Sequence, residues 1–270
     1  MKFYDKANQR LILFKQKADS HYWDKHWQTA DLIGKVKAGK NNRFIKNFTA
    51  KFLKPGAKIL EGGCGIGQNV YGLKSWDYEA YGVDFAKETI ERTKREIPEL
   101  KIFVQDVRKL NFPDNFFDGY WSLGVIEHFW EGYDEILKEA KRVIKPGGYL
   151  FLTFPYMSPL RKFKAKLGLY PIFKKEKMNV DKFYQFILNA EEVKKDVEEY
   201  GFKICLQYPF DATKGMKDEV SFLNPVLKRV YSSQNIFAKG IRFLISILFS
   251  KITSHMILLV FQKRYEKESL

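Results

Sequence analysis

Only two cysteines, Cys64 and Cys205, occur in 270 residues, so no disulfide framework is available and a reducing, cytoplasmic compartment is expected. Histidine is scarce too. His21, His26, His128 and His255 show no metal-ligand spacing, and no metal site is expected. Long apolar runs are missing as well: Met1 to Ser20 carries Lys, Arg and Asp and lacks the continuous apolar stretch of a secretory signal. Within Ile236 to Ile252 the longest uncharged run, Phe243 to Ser250, falls far short of the roughly 20 apolar residues that a membrane-spanning helix needs. Acidic residues number 32 against 47 Lys and Arg, for a formal net charge of +15. Such a surface suits nucleic acid, an anionic membrane, an acidic glycan or a phosphorylated metabolite equally well.

What the chain does contain is 45% hydrophobic residues, enough at this length for one domain with a full core plus insertions. Strand-like runs are expected near residues 58–61, 79–84, 101–105, 117–123, 148–154, 202–208 and 255–262. Helical patterns fall between them at about 87–96, 132–142 and 190–200. This alternation predicts an α/β fold, a doubly wound and mostly parallel sheet with helices on both faces.

The segment Ile59-Leu60-Glu61-Gly62-Gly63-Cys64-Gly65-Ile66-Gly67 leads an apolar strand into an acid and a glycine-rich turn. Gly63, Gly65 and Gly67 let the backbone approach a ligand closely. Tyr81-Gly82-Val83-Asp84 ends a second strand in a carboxylate 23 residues after Glu61, as needed to grip ribose hydroxyls beside such a turn. A P-loop would need Lys and Ser or Thr where this chain has Gln68-Asn69, and Glu61 would repel a polyphosphate. A cationic ligand suits the turn better.

These residues resemble the class I S-adenosylmethionine-dependent methyltransferases, especially the small-molecule enzymes with a Rossmann-like fold. Glu61, Gly63, Cys64, Gly65 and Gly67 match the family's first motif. Asp84, with Phe85 beside it, matches the ribose-binding acid, and Gln105-Asp106-Val107 matches the segment that holds the adenine. Leu110 to Asp118 looks like the run before strand four, and Lys145-Pro146-Gly147-Gly148 like the turn before strand five. The resemblance covers roughly residues 55 to 155. It implies S-adenosylmethionine as cofactor, S-adenosylhomocysteine as product, and Leu123 among the cofactor contacts. It also implies a seven-stranded sheet whose last strand, His255 to Gln262, inserts antiparallel beside Phe202 to Tyr208.

On that basis residues 55–155 are the cofactor-binding core, 1–54 a helical lid and 156–187 a substrate-side insertion. Residues 188–270 complete the sheet, with a helical insertion at about 212–253. Up to Lys58 the N-terminal part holds 14 Lys or Arg against 4 Asp or Glu, and Tyr22-Trp23-Asp24-Lys25-His26-Trp27 concentrates aromatics. Those aromatics either cover the cofactor or pack on the sheet edge. Trp23, Tyr156 and Tyr184 are the candidate substrate contacts. Between Tyr156 and Tyr184 run Arg161 to Lys166 and then Lys174, Lys175 and Lys177, a basic stretch that also reads as a solvated face. In Ile236 to Ile252, Lys239, Arg242, Ser246 and Ser250 share one helical stripe and the rest is nearly all apolar. Such a helix meets a membrane interface, a second copy in a homodimer, or the protein's own core.

Glu127-His128 follows strand four, where the methyl group should emerge. His128 is the candidate general base, with a purely structural histidine as the alternative. Glu127 also resembles the glutamate that helps hold a bicarbonate base in the cyclopropane-forming branch. The function expected is methyl transfer to a small-molecule, glycan or lipid-linked acceptor. An RNA or protein acceptor is the second enzymatic reading, and a non-catalytic cofactor-binding protein the third. Nucleic acid has less support, because Ser122 to His128 stands where base-amine enzymes carry an Asn/Asp-Pro-Pro-aromatic segment. Neither cysteine resembles a C5-type nucleophile.

Overall fold

The apolar runs become strands in the computed structural model, which describes residues 1–174, 176 and 179–265. Lys175 and Lys177 of the basic stretch lie outside the described residues. The strands are β1 (Lys2–Asp5), β2 (Arg10–Phe14), β3 (Lys58–Gly62), β4 (Glu79–Asp84) and β5 (Lys101–Val104). They continue with β6 (Phe117–Leu123), β7 (Ile144–Pro155), β8 (Phe183–Ile187), β9 (Phe202–Phe210) and β10 (Met256–Lys263). Seven of them form one sheet in the order β5-β4-β3-β6-β7-β10-β9, while β1-β2-β8 form a smaller one. β3 is parallel to both β4 and β6, β4 is parallel to β5, and β10 inserts antiparallel between β7 and β9. Because the chain winds outward from β3 through β4 and β5 and then returns to β6, the order reverses between β3 and β6. Ligands of open α/β sheets bind outside the carboxyl ends of the strands at such a switch point.

Two compact units share these strands, with β7, β9 and β10 passing from one into the other. The first comprises Lys17–Leu152, Asp196–Cys205 and the chain from Val260. In its core Trp121 of β6 is buried and stacks on Phe151 of β7, with centroids 4.3 Å apart and planes 14° from parallel. Its indole Nε1 donates to Thr49 Oγ1 at 3.0 Å, so the ring's one polar atom is satisfied. Helices Gln68–Ser75, Lys87–Glu96 and Asp134–Val143 turn one apolar side inward. In the last of these, Ile136, Leu137, Ala140 and Val143 are buried at helical spacing.

The second unit comprises Met1–Gln16, Thr153–Lys195 and Leu206–Leu259. Buried in it beside the apolar cluster of Leu11, Met157, Tyr170 and Ile187 is Glu219, which accepts from Lys2 Nζ at 2.7 Å, Arg161 Nε at 3.0 Å, Lys164 Nζ at 3.0 Å and the Tyr170 hydroxyl at 2.6 Å. Burial alone would raise this carboxyl, but Lys2 and Arg161 outweigh it and hold the group at about 2. The cluster ties the N-terminal strand to helices Pro159–Lys166 and Ala212–Glu219.

The helical lid expected over residues 1–54 needs correction at its start: Lys2 to Phe14 is a β-hairpin paired through β2 with β8. Asp5 decides this locally, since its carboxylate accepts from Asn8 N, Asn8 Nδ2 and Arg10 Nε and so closes a turn rather than a helix. Helices do occupy Ser20–His26, Leu32–Lys37 and Arg43–Phe52. The long connection before β10 folds into Ala212–Glu219, Asn224–Ser232 and Ile236–Thr253.

Replacing Trp121 by Ala removes the Phe151 stack and the Thr49 hydrogen bond from a site with no solvent access, and should cost about 3–5 kcal/mol. Urea unfolding of the two proteins measures it; a difference below about 1 kcal/mol would contradict this packing.

Candidate functional site

β3 delivers Glu61 and Gly62 to the switch point, and the chain then turns through Gly63 and Gly65 into the helix Gln68–Ser75. Gly63 has φ 76° and Gly65 φ 51°, conformations that side-chain-bearing residues rarely adopt. No room exists for a Cβ either: one on Gly63 would lie 2.5 Å from Val125 Cγ2, and one on Gly65 2.5 Å from Trp27 Cε2. The amides of Gly63 and Cys64 both donate to the Val83 carbonyl, at 2.8 and 2.9 Å, and fasten the turn to the end of β4. Gly67 caps the following helix. Cys64 is buried, and burial, then the charges of Asp84 and Glu61, pushes its thiol well above the ordinary value.

Two buried carboxyls flank the turn. Asp84, at the end of β4, accepts from Gly65 N at 2.8 Å through Oδ2 and from Ala86 N at 2.9 Å through Oδ1. Each oxygen keeps a lone pair for a further donor such as a ribose hydroxyl. Burial raises this carboxyl although both amides pull it down. Glu61 Oε1 accepts from Asn69 Nδ2 at 2.7 Å, whereas Oε2 has no partner among the described residues. Burial, partly offset by Asn69 and reinforced by Asp84, pushes the Glu61 carboxyl up to about 8. The Tyr120 hydroxyl and Glu127 Oε2 are also buried without a hydrogen-bond partner among the described residues. Tyr120 reaches the turn itself, since a Cβ on Gly62 would lie 2.2 Å from its oxygen. Orphaned buried acceptors around a cradle cleared of Cβ atoms fit a ligand with a cationic centre and hydroxyl donors.

The aromatic segment meets this cradle. The Trp23 ring stands edge-on to His128, with centroids 5.1 Å apart and planes at 82°, while Trp27 lies against Gly65. Asp24 Oδ1 accepts from Thr89 N at 2.9 Å and Thr89 Oγ1 at 2.8 Å, in the first turn of Lys87–Glu96, where a carboxylate is favoured by exposed amides. Arg92 Nη2 donates to Thr29 O at 2.8 Å, which holds the segment a second time. Together Asp24, Trp27, Leu32, Ile66, Thr89 and Arg92 line much of a cavity of about 490 Å³.

The remaining expected residues scatter more. Phe85 is exposed, Val107 is buried and Leu123 half-buried. Gln105 Oε1 accepts from Asn111 N at 2.8 Å. Asp106 pairs with Arg108 through both its oxygens; burial works to raise its carboxyl, yet Arg108 leaves it below the ordinary value. Glu127 is buried beneath Gly124, and burial pushes its carboxyl up to about 8. Tyr156 and Tyr184 belong to the other unit. There the Tyr156 hydroxyl is pushed up to about 12 by burial, and Tyr184 lies under the Lys15 ammonium at 5.9 Å. Asp24, Trp27, Asn69, Thr89 and Tyr120 were not singled out from the sequence; only Trp27 had a signal there, as part of the aromatic run. Among the described residues no three His, Cys, Asp or Glu side chains converge as a metal site.

Glu61 and Glu127 have raised values in the folded protein, so between about 4.5 and about 8 the folded state holds protons that the unfolded chain releases. Their contribution is complete below the unfolded value and is lost as pH rises toward the folded one. The melting temperature of the ligand-free protein should therefore fall from about pH 6.5, above which the buried His255 no longer gains a proton on unfolding, to about pH 8, and Glu61→Gln or Glu127→Gln should flatten the slope. A melting temperature that rises over this range, or equal slopes in all three proteins, would contradict these environments.

Residues 60–152 match the family model described as "Methyltransferase domain". Over 190 residues the chain is 28% identical to phosphoethanolamine N-methyltransferase 3 of Arabidopsis thaliana, covering 66% of this chain but only 37% of that protein. It is 30% identical over 168 residues to demethylmenaquinone methyltransferase of Staphylococcus aureus, covering 56% of this chain and 69% of the relative. Among solved structures the [4+2]-cyclase SpnF superposes with a TM-score of 0.57 over 94% of this chain and 98% of its own, at 16% identity, a likeness of fold alone. With the motif residues assembled at the switch point, the chain belongs to the class I S-adenosylmethionine-dependent methyltransferases, with a Rossmann-like fold.

Proposed function

We propose that this protein methylates a small-molecule acceptor, with Glu61, Gly63, Gly65 and Gly67 holding the methionine end of S-adenosylmethionine and Asp84 its ribose. Gln105, Asp106 and Val107, with Phe85 and Leu123, would enclose the adenine end. The cofactor supplies, when bound, a methyl group already activated on a sulfonium. What remains for the protein is to align an acceptor, exclude water and take up a proton where the acceptor must lose one.

The observation that carries this reading is the contact of Trp23 with His128 on the loop whose Val125 touches the turn at Gly63. Trp23 fixes the imidazole edge-on, and Trp27 and the Asp24–Thr89 bonds hold the segment in place over the cradle. His128 then serves as the base toward the acceptor, and Glu127, buried behind Gly124, supports the loop. This is a lid function for residues 17–31. The acceptor class is supported by the relatives' names, which specify phosphoethanolamine and demethylmenaquinone. A lipid-borne acceptor met at a membrane surface is the form favoured here, because of the exposed apolar helix in the other unit.

His128→Ala should lower kcat by about 100-fold or more while leaving cofactor affinity intact, and Asp84→Ala should weaken cofactor binding at least tenfold. The assay supplies labelled S-adenosylmethionine with separated lipid, metabolite, glycan, RNA and protein fractions. Label in lipid or metabolite is expected; label confined to RNA or protein would overturn the acceptor class, and undiminished turnover in His128→Ala would remove the base.

A further inference from the structure

The helix Ile236–Thr253 buries only Ala238 and Thr253. A helix packed on its own core would bury one apolar side, yet here Phe237 is 79% exposed, Phe243 65%, Ile247 60% and Leu248 67%, with Leu244 and Ile252 also exposed. At 100° per residue Phe237, Phe243, Leu244, Ile247 and Leu248 fall within an arc of about 140°, opposite the buried Ala238 and Thr253. The helix packs in its own unit against Pro159–Lys166, Ala212–Glu219 and Asn224–Ser232, which add exposed Phe163 and Val226. Among the described residues no helix is long and apolar enough to cross a membrane.

Charge decides what covers this face. Helices Pro159–Lys166, Asn224–Ser232 and Ile236–Thr253 contain no Asp or Glu, and the two acids of Ala212–Glu219, Asp218 and Glu219, are paired with Lys214 and Lys217 and with Lys2, Arg161 and Lys164. Arg242 is spent internally, donating to the Val230 and Ser233 carbonyls at the end of Asn224–Ser232, but Lys162, Lys166, Lys228, Arg229, Lys239 and Lys251 are exposed. A second copy meeting this face about a two-fold axis would set the same cations against one another. An anionic lipid surface instead receives the apolar side chains and neutralises the cations around them.

We propose that Ile236–Thr253 and its flanking helices form a docking surface for an anionic bilayer, with the helix lying in the headgroup region. Docking itself needs no acceptor and stands apart from the proposed reading, whose lipid-borne form leans on this surface and not the reverse. Flotation with phosphatidylcholine vesicles, with and without phosphatidylserine, tests it on the full chain. Binding should require phosphatidylserine, weaken with salt and fall at least about tenfold in Ile247→Asp/Leu248→Asp, whose sites are already exposed. Cofactor affinity by calorimetry should stay unchanged in that variant, which shows that it is folded and tests the catalytic reading separately. Equal flotation of variant and parent, or no flotation of the parent, overturns the proposal. So does a dimer in sedimentation that the variant converts to monomer, since the face would then be an interface between copies.

Discussion

Everything at the functional site depends on carboxyl groups held out of water at the ends of β3 and β4. Glu61 sits where burial opposes its charge, with one oxygen spent on Asn69 and the other without a hydrogen-bond partner among the described residues. A lone buried acceptor of this kind is costly, and folds keep such groups where a ligand repays the cost. The glycine turn follows from the same constraint. Its amides are fastened to Val83 and Asp84, and it must stay bare because Val125 and Trp27 occupy the space that Cβ atoms would need.

Much of this was legible in the amino-acid order. The acid, the three glycines and Asp84 are local motifs, and strand patterning places them at the carboxyl ends of a parallel sheet. From β3 through β7 the strands and the helices Lys87–Glu96 and Asp134–Val143 lie close to where the sequence patterns put them, whereas Gln68–Ser75 was not expected and β7 begins at Ile144, so that Lys145 to Gly148 belong to the strand and not to a turn before it. The hairpin of Lys2 to Phe14 was not legible: its register depends on β8, more than 160 residues away, and on a turn closed by Asp5. Trp27 against Gly65 and Asp24 on Thr89 are also products of tertiary approach, invisible to spacing. Arg242 shows the opposite error, since a residue that reads as part of a charged stripe turns inward to cap a neighbouring helix.

The second unit is organised by a different balance. Glu219 is buried as well, but Lys2, Arg161, Lys164 and Tyr170 satisfy it, so its carboxyl is held low rather than raised. A satisfied cluster gives a rigid scaffold, whereas the acid of the first unit keeps one buried oxygen without a hydrogen-bond partner among the described residues. On that scaffold the helix Ile236–Thr253 leaves a broad apolar face uncovered.

Burial pushes the Glu61 carboxyl up to about 8, so near pH 7 it is held protonated in the ligand-free protein, and under the proposed function it meets the cationic cofactor in that form. Calorimetric titration with S-adenosylmethionine near pH 7, repeated in buffers of different ionisation enthalpy, counts the protons exchanged. Release of about one proton is expected in the parent protein and close to none in Glu61→Gln, because a positive charge beside the carboxyl restores its ionised form. Binding without proton release, or equal release in both proteins, would contradict it.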